Sequence, residues 1–74
     1  APAFACDDYG PLNVPANEWM SIPEMIEKLE GDGYKVYEIE IDDGAYEFKA
    51  TTGAGVRVKA CAHPATGEIL KPSR

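Results

Sequence analysis

Positive charge is scarce in this chain. Seven Lys and Arg stand against 13 Asp and Glu, a net charge of −6 over 74 residues. Phosphate backbones are bound by basic faces, so no nucleic-acid partner is expected. Long apolar runs are missing as well: none approaches the ~18 residues of a membrane span, and no membrane insertion is expected. Histidine occurs once, as His63, and cysteine twice, as Cys6 and Cys61. A zinc centre draws on several His and Cys ligands, which this inventory does not supply. Asp7-Asp8 reads as a solvated acidic turn, because no further ligands follow at calcium or zinc spacing. Neither a metal nor a cofactor is expected.

A chain this short gains only ~3–5 kcal/mol from its core, so a covalent staple is expected. Bridging Cys6 to Cys61 would close a loop of about 56 residues, worth roughly 4 kcal/mol on the chain-entropy model. The count alone leaves two unrelated buried thiols open as the alternative. Ala1-Pro2-Ala3-Phe4-Ala5 resembles the residues around a signal-peptide cleavage site, and a secreted or periplasmic protein is expected. Residues 1–18 carry Pro, Ala, Asn and Asp without a period and read as an arm.

One helix is plain. Ser21-Ile22-Pro23-Glu24 is a capping box with Pro in the first turn, where no N–H bond is lost. Ile22, Met25, Ile26 and Leu29 form one apolar stripe, Glu24, Glu27, Lys28 and Glu30 take the other side, and Gly31 is expected to end the helix. At about ten residues such a helix is unstable alone and must dock. Trp19, just before the cap, is expected to lid the edge of the core.

Strand-like runs follow at 34–41, 45–51 and 55–62, with a short fourth at 68–70. Asp43-Gly44 marks a hairpin that pairs Ile41 with Tyr46, Ile39 with Phe48 and Tyr37 with Ala50. The glycine-rich turn at 51–55 is expected to pair Phe48 with Val58 and Ala50 with Val56. One face then carries Tyr37, Ile39, Ile41, Tyr46, Phe48, Ala50, Val56, Val58 and Ala60, ready for the helix. The fold expected is α+β: one amphipathic helix on one face of a three- to four-stranded antiparallel meander. The opposite face carries charge, with Glu38, Lys49 and Arg57 expected in one row and Glu40, Glu47 and Lys59 in the next. Such a face is solvated unless it recognises a partner. Cys61 falls on it near Ala45, so a bridge to Cys6 would carry the arm across the back or around one edge.

No catalytic constellation emerges. His63, beside Pro64, is an exposed turn residue, and oxidation of Cys61 would remove any Cys–His pair. Ser21 is spent as a cap, and Ser73 has no base. Glu38 and Glu40 lie on an open face with no concavity to shift a pKa. Thr52-Gly53-Ala54-Gly55 lacks the Lys and helix of a phosphate loop. A non-enzymatic protein is expected.

The succession of capped helix, Gly33-Tyr34-Lys35-Val36, Ile39-Glu40-Ile41-Asp42-Asp43-Gly44-Ala45-Tyr46-Glu47-Phe48, Val56-Arg57-Val58-Lys59 and Pro64-Ala65-Thr66-Gly67-Glu68-Ile69-Leu70 resembles the PepSY domain. The likeness is to its small, stand-alone, secreted bacterial versions. It covers about residues 19–70. His63 departs from the Asp that usually precedes that Pro. The resemblance implies a helix on an antiparallel sheet and a role in binding or restraining peptidases. On these readings residues 19–71 form a PepSY-like domain, 1–18 an arm tied through Cys6–Cys61, and 72–74 a tail. The chain is expected to be a monomeric protein-binding module whose unidentified partner is a peptidase. Glu38, Glu40, Glu47, Lys49, Arg57 and Lys59 are its contact candidates. The alternative is a small-ligand or metal-binding envelope protein.

Overall fold

A computed structural model describes Cys6 and residues 12–42 and 44–70. The signal-peptide-like residues 1–5, the Asp7-Asp8 pair, Asp43 of the hairpin turn, Ser73 and the 72–74 tail lie outside the described residues.

Helix α1 spans Ile22–Gly31. The Ser21 hydroxyl accepts from the Glu24 N–H at 3.2 Å, and the Glu24 carboxylate accepts from the Ser21 N–H at 2.8 Å. Two otherwise orphaned donors are thereby satisfied. Gly31 is the last helical residue, as expected, and the left-handed cap residue follows two positions later. Gly33, at φ +99°, turns the chain. Its N–H donates to the Glu30 carbonyl and that of Tyr34 to the Leu29 carbonyl, the bond pair of a Schellman cap, which needs a left-handed residue at that position. Met25 and Leu29 are fully buried, whereas Ile22 is 41% exposed.

Three strands make one antiparallel sheet in the order β1-β2-β3, with β1 at Lys35–Asp42, β2 at Ala45–Thr51 and β3 at Arg57–Ala62. Helix and open sheet form the expected α+β fold. Ile41 opposes Tyr46 and Ile39 opposes Phe48, as the hairpin pattern predicts. The expected Tyr37–Ala50 pair does not form. A bulge between Val36 and Glu38 brings Val36 opposite Ala50, and Tyr37 is left 56% exposed. The extra residue lets Val36 join the core while Tyr34, fixed by the helix cap, meets Phe48 edge-on at 5.7 Å.

The β2–β3 register also differs from expectation, by two residues. Phe48 opposes Ala60, Ala50 opposes Val58 and Tyr46 opposes Ala62. The cause is the loop, which closes on itself. Thr52 N–H donates to the Val56 carbonyl, Gly55 N–H to the Thr52 carbonyl and Val56 N–H to the Thr52 hydroxyl, so pairing resumes only at Arg57 opposite Thr51. A two-residue shift keeps every side chain on its face.

The core beneath α1 is Met25, Leu29, Tyr46, Phe48, Ala50 and Ala62. Ile41 and Val56, expected in this layer, are 59% and 57% exposed. A ten-residue helix is about 15 Å long and does not cover the whole sheet. The expected fourth strand is a single bridge between Ile69 and Ala62, flanked by His63 N–H to Glu68 carbonyl and Leu70 N–H to Cys61 carbonyl bonds of 2.8 Å each. Trp19 stands edge-on to Tyr46 at 5.4 Å, as a lid, with its indole N–H on the Val14 carbonyl at 2.9 Å.

Candidate functional site

The sheet's back face is built by strand alternation. Lys35, Glu38, Glu40 and Asp42 of β1 point there, as do Ala45, Glu47, Lys49 and Thr51 of β2 and Arg57, Lys59 and Cys61 of β3. The observed register redraws both expected charge rows. Glu38 opposes Lys49, which opposes Lys59, while Glu40 opposes Glu47, which opposes Cys61. Arg57 instead faces Thr51, because the closed loop delays β3.

The two halves of this face differ. At the hairpin end, Cys6 is disulfide-bonded to Cys61, with Cα atoms 5.8 Å apart. The Cys6 N–H donates to the Asp42 carboxylate at 3.2 Å. Cys6 thus crosses the back of the sheet from β1 to β3. Beneath it Ala45 and Cys61 are fully buried, with Leu12 and Leu70 packed alongside. At the other end Lys49 and Arg57 remain accessible. Lys49 pairs with Glu38 at 3.3 Å, and Lys59 leans diagonally to Glu47 at 3.6 Å. Among the described residues Arg57 makes no ion pair. Partly exposed pairs of this kind are worth at most about 1 kcal/mol each, and they leave the cations available.

Glu47 sits on the boundary between the halves, 8% exposed. Its burial pushes the carboxyl above the ordinary glutamate range. Lys59 opposes that rise, while Asp42 and Glu40 add to it. The six contact candidates therefore lie on one face but are not equivalent, for Glu47 is nearly covered. Sequence reasoning missed that cover. Its signal was the pair of small residues, Ala45 and Cys61, interrupting an otherwise charged alternation.

The closing turn holds the edge of the domain. Pro64 is buried, and its carbonyl accepts from the Met20 N–H at 2.8 Å. The Tyr46 hydroxyl donates to the Met20 carbonyl at 2.6 Å. Gly67 has φ +74°, and a Cβ there would lie 2.7 Å from Lys28 Cγ on α1. His63 is half-buried, not exposed as expected, and its Nδ1 accepts from the Ala65 N–H at 3.1 Å within the turn.

For metal binding, Cys6 Sγ and the carboxylates of Asp42 and Glu47 lie within 4.8 Å of one another. The sulfur is committed to Cys61. That leaves two carboxylates, one already accepting a backbone N–H and the other beside Lys59.

A family model described as "Peptidase propeptide and YPEB domain" matches residues 1–73, arm included. No curated protein and no solved structure matches the chain.

Proposed function

Because the chain belongs to the peptidase propeptide and YPEB domain family, we propose that it is a non-enzymatic protein-binding module that engages a peptidase and restrains it. The family match over residues 1–73 carries this reading. The open half of the back face supplies the contact surface, with Lys49, Arg57 and Lys59 as the cations and Glu38 and Glu40 as the acids beside them, and Glu47 nearly covered at its margin. Its physics favours recognition over chemistry, since the face is solvated and the exposed ion pairs exchange readily for a partner's charges. A disulfide across that face suits a secreted or periplasmic setting.

The test uses the oxidised protein, immobilised and exposed to the secreted fraction of its source. Retained peptidase activity is assayed directly. Reversing Lys49, Arg57 and Lys59 to Glu is expected to cut retention at least tenfold while the melting transition stays cooperative. Equal retention by the triple variant would remove these residues from the site, and the absence of any retained peptidase would remove the partner class. The second reading, a small-ligand or metal-binding envelope protein, draws on the Asp42–Glu47 pair alone. A rise in melting temperature on titration with calcium, zinc or copper would support it.

A further inference from the structure

β1 is an outer strand. It is bonded to β2 on one side and, among the described residues, to no strand on the other. The far margin of the sheet differs, since β3 is met there by Ile69 and Leu70. An outer strand presents a row of backbone N–H and C=O groups that template another strand. The bulge at Tyr37 breaks this ladder, leaving residues 38–42 as its regular part. Within it Glu38, Glu40 and Asp42 face the back, and Ile39 and Ile41 face the front.

That alternation opposes two-fold antiparallel pairing with a second copy. Directly opposite residues of an antiparallel pair share a face. Centred on Ile39, self-pairing sets Glu38 against the copy's Glu40 twice over. Centred on Glu40, it sets that residue against itself and Glu38 against Asp42. Every antiparallel register that keeps the two front faces together puts acid on acid, which is destabilising. Inside the molecule Glu40 already opposes Glu47. Glu38 has Lys49, and Asp42 accepts from Cys6, but Glu40 forms no ion pair among the described residues.

We infer that the outer edge of β1, residues 38–42, takes up an extended basic segment of the partner protein as an added strand. Lys or Arg side chains of that segment lie beside Glu38, Glu40 and Asp42, and apolar ones lie beside Ile39 and Ile41. Ile41, 59% exposed, supplies the apolar contact. The segment therefore alternates basic and apolar residues, and the alternation reads the same in either strand direction. This deepens the proposed function by naming the edge and the chemistry of the segment it takes, and rests on that reading for the occupant's being part of a protein.

The probe is a blocked peptide whose centre reads Lys-Val-Lys-Val-Lys, with a Glu-Val-Glu-Val-Glu peptide as control. Backbone amide exchange and chemical shifts are followed on the oxidised protein. The basic peptide is expected to bind and to slow exchange at alternate amides within 38–42, while the acidic one leaves them unchanged. Glu40→Gln should weaken binding about threefold and Glu40→Lys about tenfold. Glu40→Lys should also raise the melting temperature, because it replaces a Glu–Glu cross-strand pair by Lys–Glu; weaker binding cannot then be blamed on unfolding. Equal binding of both peptides, shifts spread over all acidic residues, protection on β3 or α1, or undiminished binding by Glu40→Lys would each overturn the edge assignment. Peptidase retention that survives Glu40→Lys but is lost on reversing Lys49, Arg57 and Lys59 would discard the edge and keep the proposed function. Edge binding of the basic peptide without any retained peptidase would do the reverse.

Discussion

On its front the sheet buries Phe48, Ala50 and Ala62 beneath α1, with Met25 and Leu29 reaching down from the helix. On its back it buries Ala45 and Cys61 beneath Cys6, with Leu12 and Leu70 packed alongside. The front is closed by apolar area, non-directional and distributed over many contacts. Among the described residues, the back is closed at one end by one covalent bond with Leu12 and Leu70 beside it, and its other end carries charged side chains. The difference shows how so small a chain leaves one sheet face open. The staple limits the unfolded chain, so the uncovered half of the back need not contribute to a core and can serve recognition.

The comparison breaks most visibly at its two anchors. Phe48→Ala should cost about 4 kcal/mol through lost burial and cavity formation. Cys6→Ser should cost a similar ~4 kcal/mol, through a freer unfolded chain. Denaturant melts separate the two. The cysteine variant should show a steeper dependence on denaturant, because its unfolded state expands, whereas Phe48→Ala should keep the wild-type slope. Identical slopes would mean that the disulfide acts through native contacts instead.

A smaller effect is expected at the junction of the closing turn and α1. Gly67→Ala should cost about 1–2 kcal/mol, since alanine resists the positive φ and its Cβ would press on Lys28. A melting temperature equal to wild type would show that the turn relaxes away from the helix.

The smallest effect sharpens the boundary on the back face. The native pKa of Glu47 lies above its unfolded value, chiefly through burial. The native state therefore holds that proton longer, and stability should fall as pH rises from the ordinary glutamate value through the raised one. Glu24 runs the other way. Its carboxyl is held below the ordinary range by the Ser21 N–H, helped by the Ser21 hydroxyl. Its contribution should be present above the ordinary value and disappear as pH falls through the lowered one. Urea melts between about pH 3 and about pH 7 should show the slope flattened by Glu47→Gln at the upper end and by Glu24→Gln at the lower. A Glu47→Gln profile parallel to wild type would place Glu47 in water.

Much of this was legible in the residues. The capping box, the Met25/Leu29 stripe and the Ile39–Phe48 and Ile41–Tyr46 pairs each carry a local physical signature, and each stands as read. The Cys6–Cys61 bridge is expected from the small size and the secreted look of the chain, with two unrelated thiols as the open alternative, and the structure has it. What escaped reading depended on more than neighbours in sequence. The bulge at Tyr37 arises where the helix cap delivers Tyr34 and Val36 into the core, a tertiary demand that overrides strict alternation. The two-residue offset of β3 comes from Thr52 closing its own loop, and both candidate charge rows moved with it. The cover over Glu47 needed the path of the arm, which a cysteine pairing fixes at one point alone.

The most direct test of the account is an amide-exchange footprint of the oxidised protein with and without the retained peptidase. Slowed exchange confined to β1 residues 38–42 and to the open half of the back face around Lys49, Arg57 and Lys59 is the predicted result. Protection on the outer face of α1, with the sheet unchanged, would contradict it.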